Sequence, residues 1–578
     1  MRQRYLTDRF RERPEYAIAD LHAVVAEGRA DADDFFALAE MSFLHAEERG
    51  GRPYYLASAL YAYAFLFPGD AGQPPDPYDP RLRLASDLYN RGLTSGLSTD
   101  NGDGIAIRSA SYPLPFGRLD VDFDPRDLEW GGRQLTSFFP VAELEVHGLD
   151  NRYRQSGIGA PLAAGTTQAN VTKGFQVGAR VKVPVTALLR VDDPQRQLAG
   201  GSVRAQLELH ASSDTQAVVI DRQQVPLEIE YTSTLAYFLS GSKIWDWELA
   251  GFLRGSLLAE NPTRLGAMEP YKPGRFPVVF VHGTASSPAR WAEMLNDLRS
   301  DPRIRDHFQF WFFGYETGNP VPYSALLLRE SMQEAISALD PSGRDPALRE
   351  MVVIGHSQGG LLTKLTAVDS GDRFWDAAFR KPPEELSVSP ESRDLLKRSL
   401  FVKPVPSVKR LVFIATPHGG SYVAGNRISH YIASLVRLPG NILKATSEVL
   451  AQRDGETTTL TGQAGFGSVY GMTPGSVLVK TLARIPLADG VKAHSIIPVR
   501  GDGPIEIGDD GVVQYKSAHI EDVESEYIVR SGHSTQADPH TIEEVRRILL
   551  LHWAESCTKH GNCGQAAARP PLIASKPR

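Results

Sequence analysis

The sequence predicts an α/β fold class in its second half, where helices cover a mostly parallel sheet, preceded by an all-helical N-terminal segment and a β-rich module. Three successive patterns of apolar spacing support this prediction. The spacing is helical up to about residue 100, alternates with a period of two from about 104 to 240, and from Phe276 onwards forms short continuous runs between helical segments. Such runs are typical of a parallel sheet that is covered on both faces.

The composition is that of an ordinary globular protein with two or three domains. The chain has 578 residues, more than one compact core accommodates, and 42% of them are hydrophobic. The 62 basic residues face 69 acidic ones, and no basic run contains interleaved aromatics, so we expect no nucleic-acid partner. No run approaches the roughly 18 apolar residues of a membrane-spanning helix, so no transmembrane segment is expected.

Residues 1–103 form the predicted helical domain. Its helices are expected around residues 18–25, 31–49, 53–67 and 81–93, with Asp31 as a cap candidate. Paired antiparallel helices of this kind weakly resemble a tetratricopeptide unit, although three repeats cannot be found. Two interpretations follow: a solenoid that binds a protein partner, or a small helical bundle that packs on the rest of the chain.

Residues 104–260 form the predicted β-rich module. Leu119, Val121 and Phe123 alternate with charged or polar neighbours, and the same period recurs around 203–209 and 227–231. Gly, Pro and Asp turns separate these runs, so a sandwich or meander is expected. Its default role is to cover or orient the domain that follows, and the linker 261–275 marks the boundary.

The α/β domain is predicted over 261–555, and a polar tail follows at 556–578. Strands and helices alternate along it, as parallel sheets require. The strands are expected at 277–281, 308–313, 352–355, 411–415, near 495–499 and at 527–529, and helices at 288–298, 323–339 and after residue 357.

One stretch organises this domain, from Val352 to Ser370. Apolar residues run into the pentapeptide Gly355-His356-Ser357-Gln358-Gly359, and a helical apolar spacing follows, which predicts strand, sharp turn and helix. A G-x-S-x-G turn needs both glycines, because the serine sits on a strained backbone where a neighbouring Cβ would collide. Ser357 is therefore the candidate nucleophile, supported by Gly355 and Gly359.

Five ordered segments carry a family pattern. They are His282-Gly283-Thr284 after the first strand, the turn around Ser357, the segment ATPHGGS from Ala415 to Ser421, the segment DGVV from Asp510 to Val513, and the segment SGHS from Ser531 to Ser534. This pattern resembles that of bacterial lipase/esterase-like serine hydrolases of the α/β-hydrolase superfamily, over about residues 276–555. The resemblance implies the α/β-hydrolase fold and cleavage of acyl esters.

The catalytic candidates follow the chain order of this fold, which is serine, acid, histidine. A serine hydroxyl needs a base to remove its proton, and the imidazole base needs a carboxylate to hold its tautomer. Ser357, Asp510 and His533 meet this order. Asp509 is the alternative acid, although in an extended segment it would point the other way, and Asp502 is interpreted as a turn residue.

His533 is the favoured base because its loop follows a strand and precedes a helix that begins near Asp538. The other histidines of this domain fit less well, for reasons of position. His282 and His356 belong to turn motifs, His418 precedes the acid, and His519 follows Asp510 too closely.

The backbone N–H groups of Thr284 and Gln358 are the predicted oxyanion hole, with His282 and Gly283 supporting the first of them. No cofactor is expected and no metal ligands are assigned, and whether calcium binds stays open.

Two insertions bear on the substrate. Residues 371–406 and 422–491 exceed ordinary loops, and the second contains apolar helical stretches at 432–443 and 477–485. They form either a hydrophobic lid over an acyl pocket or a rigid cap that completes the core. The leading hypothesis is a serine carboxylester hydrolase acting on a lipid-like acyl ester. The alternatives are an acyltransferase that uses the same acyl-enzyme, and a lipid- or partner-binding protein in which the hydrolase domain is a scaffold.

The cysteines leave the compartment open. Cys557 and Cys563 are the only two, and they form either a small disulfide loop or two free thiols. With His560 they supply only three ligands, so a zinc site is not expected. No apolar region follows the basic N-terminus, which favours a cytoplasmic location if this start is genuine. The resemblance to secreted lipases and the cysteine pair favour an extracytoplasmic or membrane-associated location if a leader is missing.

Overall fold

The computed structural model describes residues 6–102, 104–167, 175–178, 181–240, 265–284, 286–421, 440–451, 472 and 476–560. The chain divides into two compact units. The first comprises Met1–Ala169 and Arg180–Gly241, and the second comprises Asn170–Ala179 and Ser242–Arg578. Most of the predicted helical domain and of the predicted β-rich module thus lies in one unit, and the predicted α/β domain lies in the other.

Helices form the beginning of the first unit. They are α1 (Thr7–Glu12), α2 (Pro14–Ala26), α3 (Ala32–His45), α4 (Arg52–Leu66) and α5 (Arg81–Gly96). The predicted cap of α3 is present, since the Asp31 carboxylate accepts a hydrogen bond from the amide of Asp34 and the Asp34 carboxylate accepts one from the amide of Asp31. This capping box satisfies two amides that a helix start otherwise leaves unpaired.

A seven-stranded sheet follows within the described part of this unit, in the order β1-β2-β9-β8-β6-β4-β3. Its neighbours are antiparallel except β2 and β9. The strands between residues 110 and 230 are β1 (Ala110–Leu114), β2 (Gly117–Phe123), β3 (Glu129–Trp130), β4 (Arg133–Pro140), β5 (Arg154–Gln155), β6 (Ala160–Thr166), β7 (Phe175–Val177, in the second unit), β8 (Val183–Arg190), β9 (Ser202–Ala211), β10 (Ala217–Ile220), β11 (Gln223–Pro226) and β12 (Ile229–Glu230). Helices α6 (Pro194–Ala199) and α7 (Tyr231–Ser240) complete the unit.

Two buried polar side chains of α5 tie the helices to this sheet. The Tyr89 hydroxyl donates to the carbonyl of Leu189 and accepts from the amide of the same residue, each at 2.8 Å. The Asn90 amide group donates to the carbonyl of Gly157 and accepts from the amide of Gly159. Because buried polar groups need such partners, these bonds fix how α5 lies on the sheet.

A largely parallel sheet forms the centre of the second unit, so the α/β prediction is confirmed for this part. Its parallel strands lie in the order β19-β18-β17-β16-β14-β15. The strands of this region are β13 (Leu265–Ala267), β14 (Phe276–Val281), β15 (Phe308–Phe313), β16 (Met351–His356), β17 (Val408–Ile414), β18 (Lys492–Pro498) and β19 (Ser525–Val529).

The edge of the sheet contains two short strands that the sequence does not predict. β13 pairs antiparallel with β15, and β7 pairs parallel with β13. β13 lies in the segment expected to be the linker 261–275, and β7 lies in the segment expected to be the β-rich module. Each has three residues, which is too short for a periodic apolar pattern to reveal it.

Helices cover both faces of this sheet. The connections β14 to β15 and β15 to β16 run in opposite directions across the sheet, so right-handed crossovers put their helices on opposite faces. The helices are α8 (Ala292–Ser300), α9 (Pro302–His307), α10 (Val321–Leu339), α11 (Gln358–Lys364), α12 (Arg373–Ala378), α13 (Pro390–Leu400), α14 (Gly440–Ala451), α15 (Val477–Ala483), α16 (Tyr515–Ala518) and α17 (Pro539–His560). Accordingly α17 contacts α8 and α9, whereas α10 contacts α11 and α13.

The described parts of the two insertions pack together. Trp375 of α12, Phe379 and Leu386 form one buried apolar cluster with Val449 of α14. Of the predicted helical stretch 432–443, residues 432–439 lie outside the described residues, whereas the stretch 477–485 contains α15. The insertion 371–406 and the helix α14 therefore share a core of their own.

Helix α17 extends into the segment that the sequence predicts as a polar tail. It ends at His560, and Cys557 on it is only 7% exposed. The apolar helical spacing continues past residue 555, but the polar residues that follow hide this continuation in the sequence. Cys563 lies outside the described residues, so the disulfide stays a prediction.

None of the helices in the described ranges is long and apolar enough to cross a membrane.

A buried charged cluster lies at the amino ends of β17 and β18. Arg410 is 1% exposed, and its guanidinium donates to Glu524 at 2.8 Å and contacts Glu555 of α17 and the imidazoles of His494 and His552. Burial and the Arg410 charge lower the pKa of His494 to about 3 and that of His552 to about 4. Both imidazoles are therefore neutral, and the cluster ties the last helix to the sheet.

We expect the two histidines of this cluster to make the protein's stability sensitive to mildly acidic pH. Both histidines have a folded-state pKa below the ordinary 6.5, so the unfolded chain binds their protons more readily and stability falls as the pH drops from 6.5 towards 4. Each histidine contributes up to about 1.4 kcal/mol per pH unit in that window. Urea unfolding at pH 7.5 and pH 5 measures the loss.

The variant His552→Gln keeps a donor and an acceptor but cannot titrate, so the loss between the two pH values is expected to shrink. The same substitution at exposed His540 is the control. If His552→Gln loses as much stability between pH 7.5 and pH 5 as the wild type, the assignment of this loss to the cluster is contradicted.

Candidate active site

Ser357 lies on a strained backbone at the carboxyl end of β16. Its φ of 55° and ψ of −124° lie outside the regions that side chains with a Cβ normally adopt. Its amide donates to the carbonyl of Ile414 at 2.9 Å, and α11 begins at the next residue. The strand and the helix thus hold the serine at the tip of a sharp turn, where its hydroxyl lies above the carboxyl edge of the sheet.

The glycines of this turn allow close contacts between backbones. A Cβ on Gly355 would lie 2.5 Å from the carbonyl oxygen of Gly359, and one on Gly359 would lie 2.2 Å from the carbonyl oxygen of Val281. A Cβ on Gly360 would lie 1.8 Å from the Thr416 hydroxyl. These distances are shorter than any van der Waals contact, so only glycine fits at these positions.

The structure brings Ser357, Asp510 and His533 into one hydrogen-bonded row. The Nδ1 atom of His533 lies 2.7 Å from Oδ2 of Asp510, and its Nε2 atom lies 3.0 Å from Oγ of Ser357. The Asp510 side chain is 1% exposed and that of His533 is 18% exposed. The carboxylate is thus shielded from water, whereas the imidazole borders an accessible space.

The loop around Asp510 leaves one carboxylate oxygen for the histidine. Oδ1 accepts hydrogen bonds from the amides of Val512 and Val513, at 2.8 and 2.7 Å. Oδ2 is the oxygen that faces His533. Because a carboxylate only accepts, Nδ1 of His533 carries the proton and Nε2 is free to accept one from Ser357.

The segment Thr416–Ser421 braces this acid loop, a role that the sequence motif does not reveal. The Ser421 hydroxyl donates to the carbonyl of Val512 at 2.7 Å. The amide of Gly419 donates to the carbonyl of Ser517, and the Ser517 hydroxyl donates to the carbonyl of Gly420. The acid loop is thereby fixed to the segment that follows β17.

The segment from His282 to Thr284 approaches Ser357 from the end of β14. A Cβ on Gly283 would lie 2.9 Å from Cβ of Ser357, so the two backbones are very close. The buried Tyr315 hydroxyl donates to the carbonyl of His282 at 2.8 Å, and burial lowers the pKa of the His282 imidazole to about 4. His282 is therefore a neutral structural residue beside the site.

A hydrogen bond between side chains links Thr284 to Gln358. The Thr284 hydroxyl donates to the Gln358 side-chain oxygen at 2.5 Å, and the Gln358 side-chain nitrogen donates to the carbonyl of Thr317 at 3.2 Å. Gln358 is fully buried. The amide of Gln358 is the first of helix α11 and has no acceptor within that helix. The two predicted oxyanion residues are thus joined, although the sequence assigns a role only to their backbones.

The alternatives weighed from the sequence lie outside this row. The Asp509 carboxylate is exposed and accepts from the amide of Gly511, as a turn residue does, and Asp502 is exposed. His519 is exposed and pairs with Glu526. His418 is buried and lies edge-on against Phe413. His356 also lies outside the row, but its imidazole contacts the backbone of His533.

No group of three or more His, Cys, Asp or Glu side chains within the described ranges is arranged to hold a metal ion. The arrangement of Asp510, His533 and Ser357 can take a proton from the serine hydroxyl and return it.

Comparisons with known proteins give partial likenesses. No protein-family profile and no curated protein matches the chain. Among solved structures, a mature lipase from Bacillus licheniformis is 16% identical, with 50% of this chain and 98% of the other covered and a TM-score of 0.29. An esterase from Thermogutta terrifontis with bound propionate is 12% identical, with 50% of this chain and 89% of the other covered and a TM-score of 0.26. Esterase B from Lactobacillus rhamnosis is 12% identical, with 56% of this chain and 96% of the other covered and a TM-score of 0.29. Likenesses this weak carry no argument about activity or substrate.

We expect Gly359→Ala to destabilise the second unit. Its added Cβ would meet the carbonyl oxygens of Val281 and His282 at 2.2 and 2.5 Å, and Val281 is held in place by its pairing with β15 and β16. Overpacking of this kind costs about 1–3 kcal/mol or more. Thermal and urea unfolding measure it.

The matched control is Gly503→Ala, where a Cβ meets nothing within 4 Å and φ is ordinary. A Gly359→Ala protein as stable as this control would refute the close approach.

Proposed function

We propose that the chain is a serine carboxylester hydrolase that cleaves acyl esters through an acyl-enzyme intermediate. Ser357 is the nucleophile, His533 the general base and acid, and Asp510 the group that orients the imidazole. The observation that carries the proposal is the row Asp510–His533–Ser357, with hydrogen-bond distances of 2.7 and 3.0 Å. A base within such reach is the first requirement for an activated serine.

In the acylation step, Ser357 Oγ attacks the carbonyl carbon of the ester while His533 Nε2 takes the hydroxyl proton. The new C–O bond converts the carbonyl into a tetrahedral oxyanion. When this collapses, the bond to the alcohol oxygen breaks, and His533 returns its proton to the leaving alcohol. Asp510 remains a carboxylate throughout and stabilises the imidazolium.

The backbone amides of Gln358 and Thr284 are proposed to bind the oxyanion. The Gln358 amide begins α11, so the helix dipole also favours negative charge there. The close approach of Gly283 to Ser357 supports a position for the Thr284 amide on the same side. Each such donor contributes about 3 kcal/mol to the transition state.

In the deacylation step, water takes the place of the alcohol. His533 removes a proton from the water as it attacks the acyl carbon, and the bond to Ser357 Oγ then breaks, with the proton returned to the serine. The products are a carboxylic acid and the free enzyme. An acyltransferase differs only in the final acceptor, so analysis of the products with an added alcohol distinguishes the two activities.

An apolar acyl group is the proposed substrate moiety. Met472, from the second insertion, places its sulfur 4.0 Å from the Thr284 hydroxyl, and its carbonyl accepts from the amide of Ser421 at 2.8 Å. A thioether beside the proposed oxyanion hole favours an acyl chain over a charged group.

Replacement of Ser357 by alanine tests the nucleophile. Ser357→Ala is expected to abolish both the hydrolysis of p-nitrophenyl esters and the labelling of the protein by a fluorophosphonate probe, because no other hydroxyl occupies the turn. Ser337→Ala, an exposed serine on α10, is the control and keeps both. Full activity in Ser357→Ala would end the proposal.

Two neighbouring aspartates provide a sharper test of the acid. Asp510→Asn presents an amide to His533 and favours the wrong tautomer, a change that lowers kcat by about 10⁴ in such triads. Asp509→Asn keeps the turn to Gly511 and is expected to retain wild-type kcat. Steady-state kinetics of the two variants compare them, and the reverse order of effects would assign the acid to Asp509.

A further inference from the structure

The side chain of His356, the residue before Ser357, contacts the loop of the proposed base. Its Nε2 atom lies 2.8 Å from the carbonyl oxygen of His533, and the two imidazole rings are 5.0 Å apart. The His356 residue is 5% exposed and ends strand β16. A side chain on the strand that carries the nucleophile is therefore bonded to the backbone of the residue that must deprotonate it.

The direction of this hydrogen bond is determined by its acceptor. A carbonyl oxygen cannot donate, so Nε2 of His356 carries the proton. Its Nδ1 atom has no hydrogen-bond partner among the described groups, as expected for the unprotonated nitrogen of a neutral ring. Burial and the neighbouring His533 lower the pKa of His356 to about 3, so the ring remains a neutral donor while the enzyme works.

The loop that carries His533 needs support from outside the reacting groups. It lies between the end of β19 at Val529 and a short turn that begins at Thr535, and residues 530–534 belong to no helix or strand. The imidazole itself contacts Asp510 and Ser357. The contact to Ser357 is lost when its oxygen becomes part of the acyl ester, although His533 must then stay in place to activate water.

A bond to the backbone of His533 does not change during the reaction. We propose that His356 is a positioning residue, whose imidazole holds the loop of His533 at the distance that general-base catalysis requires. This inference rests on the proposed function of Ser357 and His533. It assigns His356 no contact with substrate, because the residue is buried.

The expected signature is a loss in turnover without a loss in substrate binding. His356→Leu removes the donor at similar volume and leaves the His533 carbonyl without it, so kcat for p-nitrophenyl butyrate is expected to fall 10- to 100-fold while KM stays within about twofold. His356→Gln can put its side-chain nitrogen near the position of Nε2, so it is expected to recover most of kcat. Its shorter homologue His356→Asn cannot reach the carbonyl and is expected to behave like the leucine variant.

A second readout does not depend on esterase activity. Hydrogen–deuterium exchange of the peptide that covers residues 530–534 reports how firmly the loop is held. Faster exchange in His356→Leu and His356→Asn than in the wild type and His356→Gln is expected. Thermal unfolding identifies any variant that does not fold, and the asparagine variant replaces the leucine variant in that case.

The outcomes separate this inference from the proposed function. A wild-type protein without ester hydrolysis would refute the proposed function, and the exchange of residues 530–534 would still decide whether His356 holds the loop. Wild-type kcat together with unchanged exchange in both donor-lacking variants would overturn the inference. A kcat of His356→Gln as low as that of His356→Leu would also overturn the inference, because the shape of the ring and not the donated hydrogen bond would then be what matters.

Discussion

The strained backbone of Ser357 is the constraint on which the rest of the second unit depends. A non-glycine residue with φ of 55° and ψ of −124° costs about 1–3 kcal/mol and persists only where its surroundings fix it. They do so through the hydrogen bond from its amide to Ile414 and through backbones packed against Gly355 and Gly359. The ends of β14, β16 and β17 therefore meet at one point, and the hydroxyl has one direction in which to project.

The opposite end of the sheet contributes by holding α17. Arg410 joins β17 to Glu555 of that helix, and His552 donates to the carbonyl of Glu350 just before β16. The loop of His533 lies between β19 and α17. The cluster that anchors α17 therefore also fixes the carboxyl end of that loop. The charged groups at the amino ends of the strands thus stabilise the geometry at their carboxyl ends without contacting the reacting atoms.

Long apolar strands and ordered motifs are the features that the sequence alone could predict. β15 has the predicted bounds, and β14, β16 and β17 differ from the prediction by a few residues, because continuous buried runs between helices leave a strong pattern. The row Ser357, Asp510 and His533 follows from chain order. The short strands β7 and β13 have too few residues to show a period. The hydrogen bonds of Gln358 and His356 join segments distant in the chain, and no spacing within one segment can predict such contacts.

Separate supports for the acid and the base explain how the insertion 371–406 can vary without disturbing the row. The loop of Asp510 is held by Ser421 and the loop of His533 by His356, and both supports begin at the carboxyl ends of central strands. The insertion 371–406, by contrast, packs with α14 in a cluster around Trp375. Changes there leave these hydrogen bonds intact. Met472 of the second insertion differs, because its carbonyl accepts from the amide of Ser421, and the support of the acid loop therefore extends into that insertion.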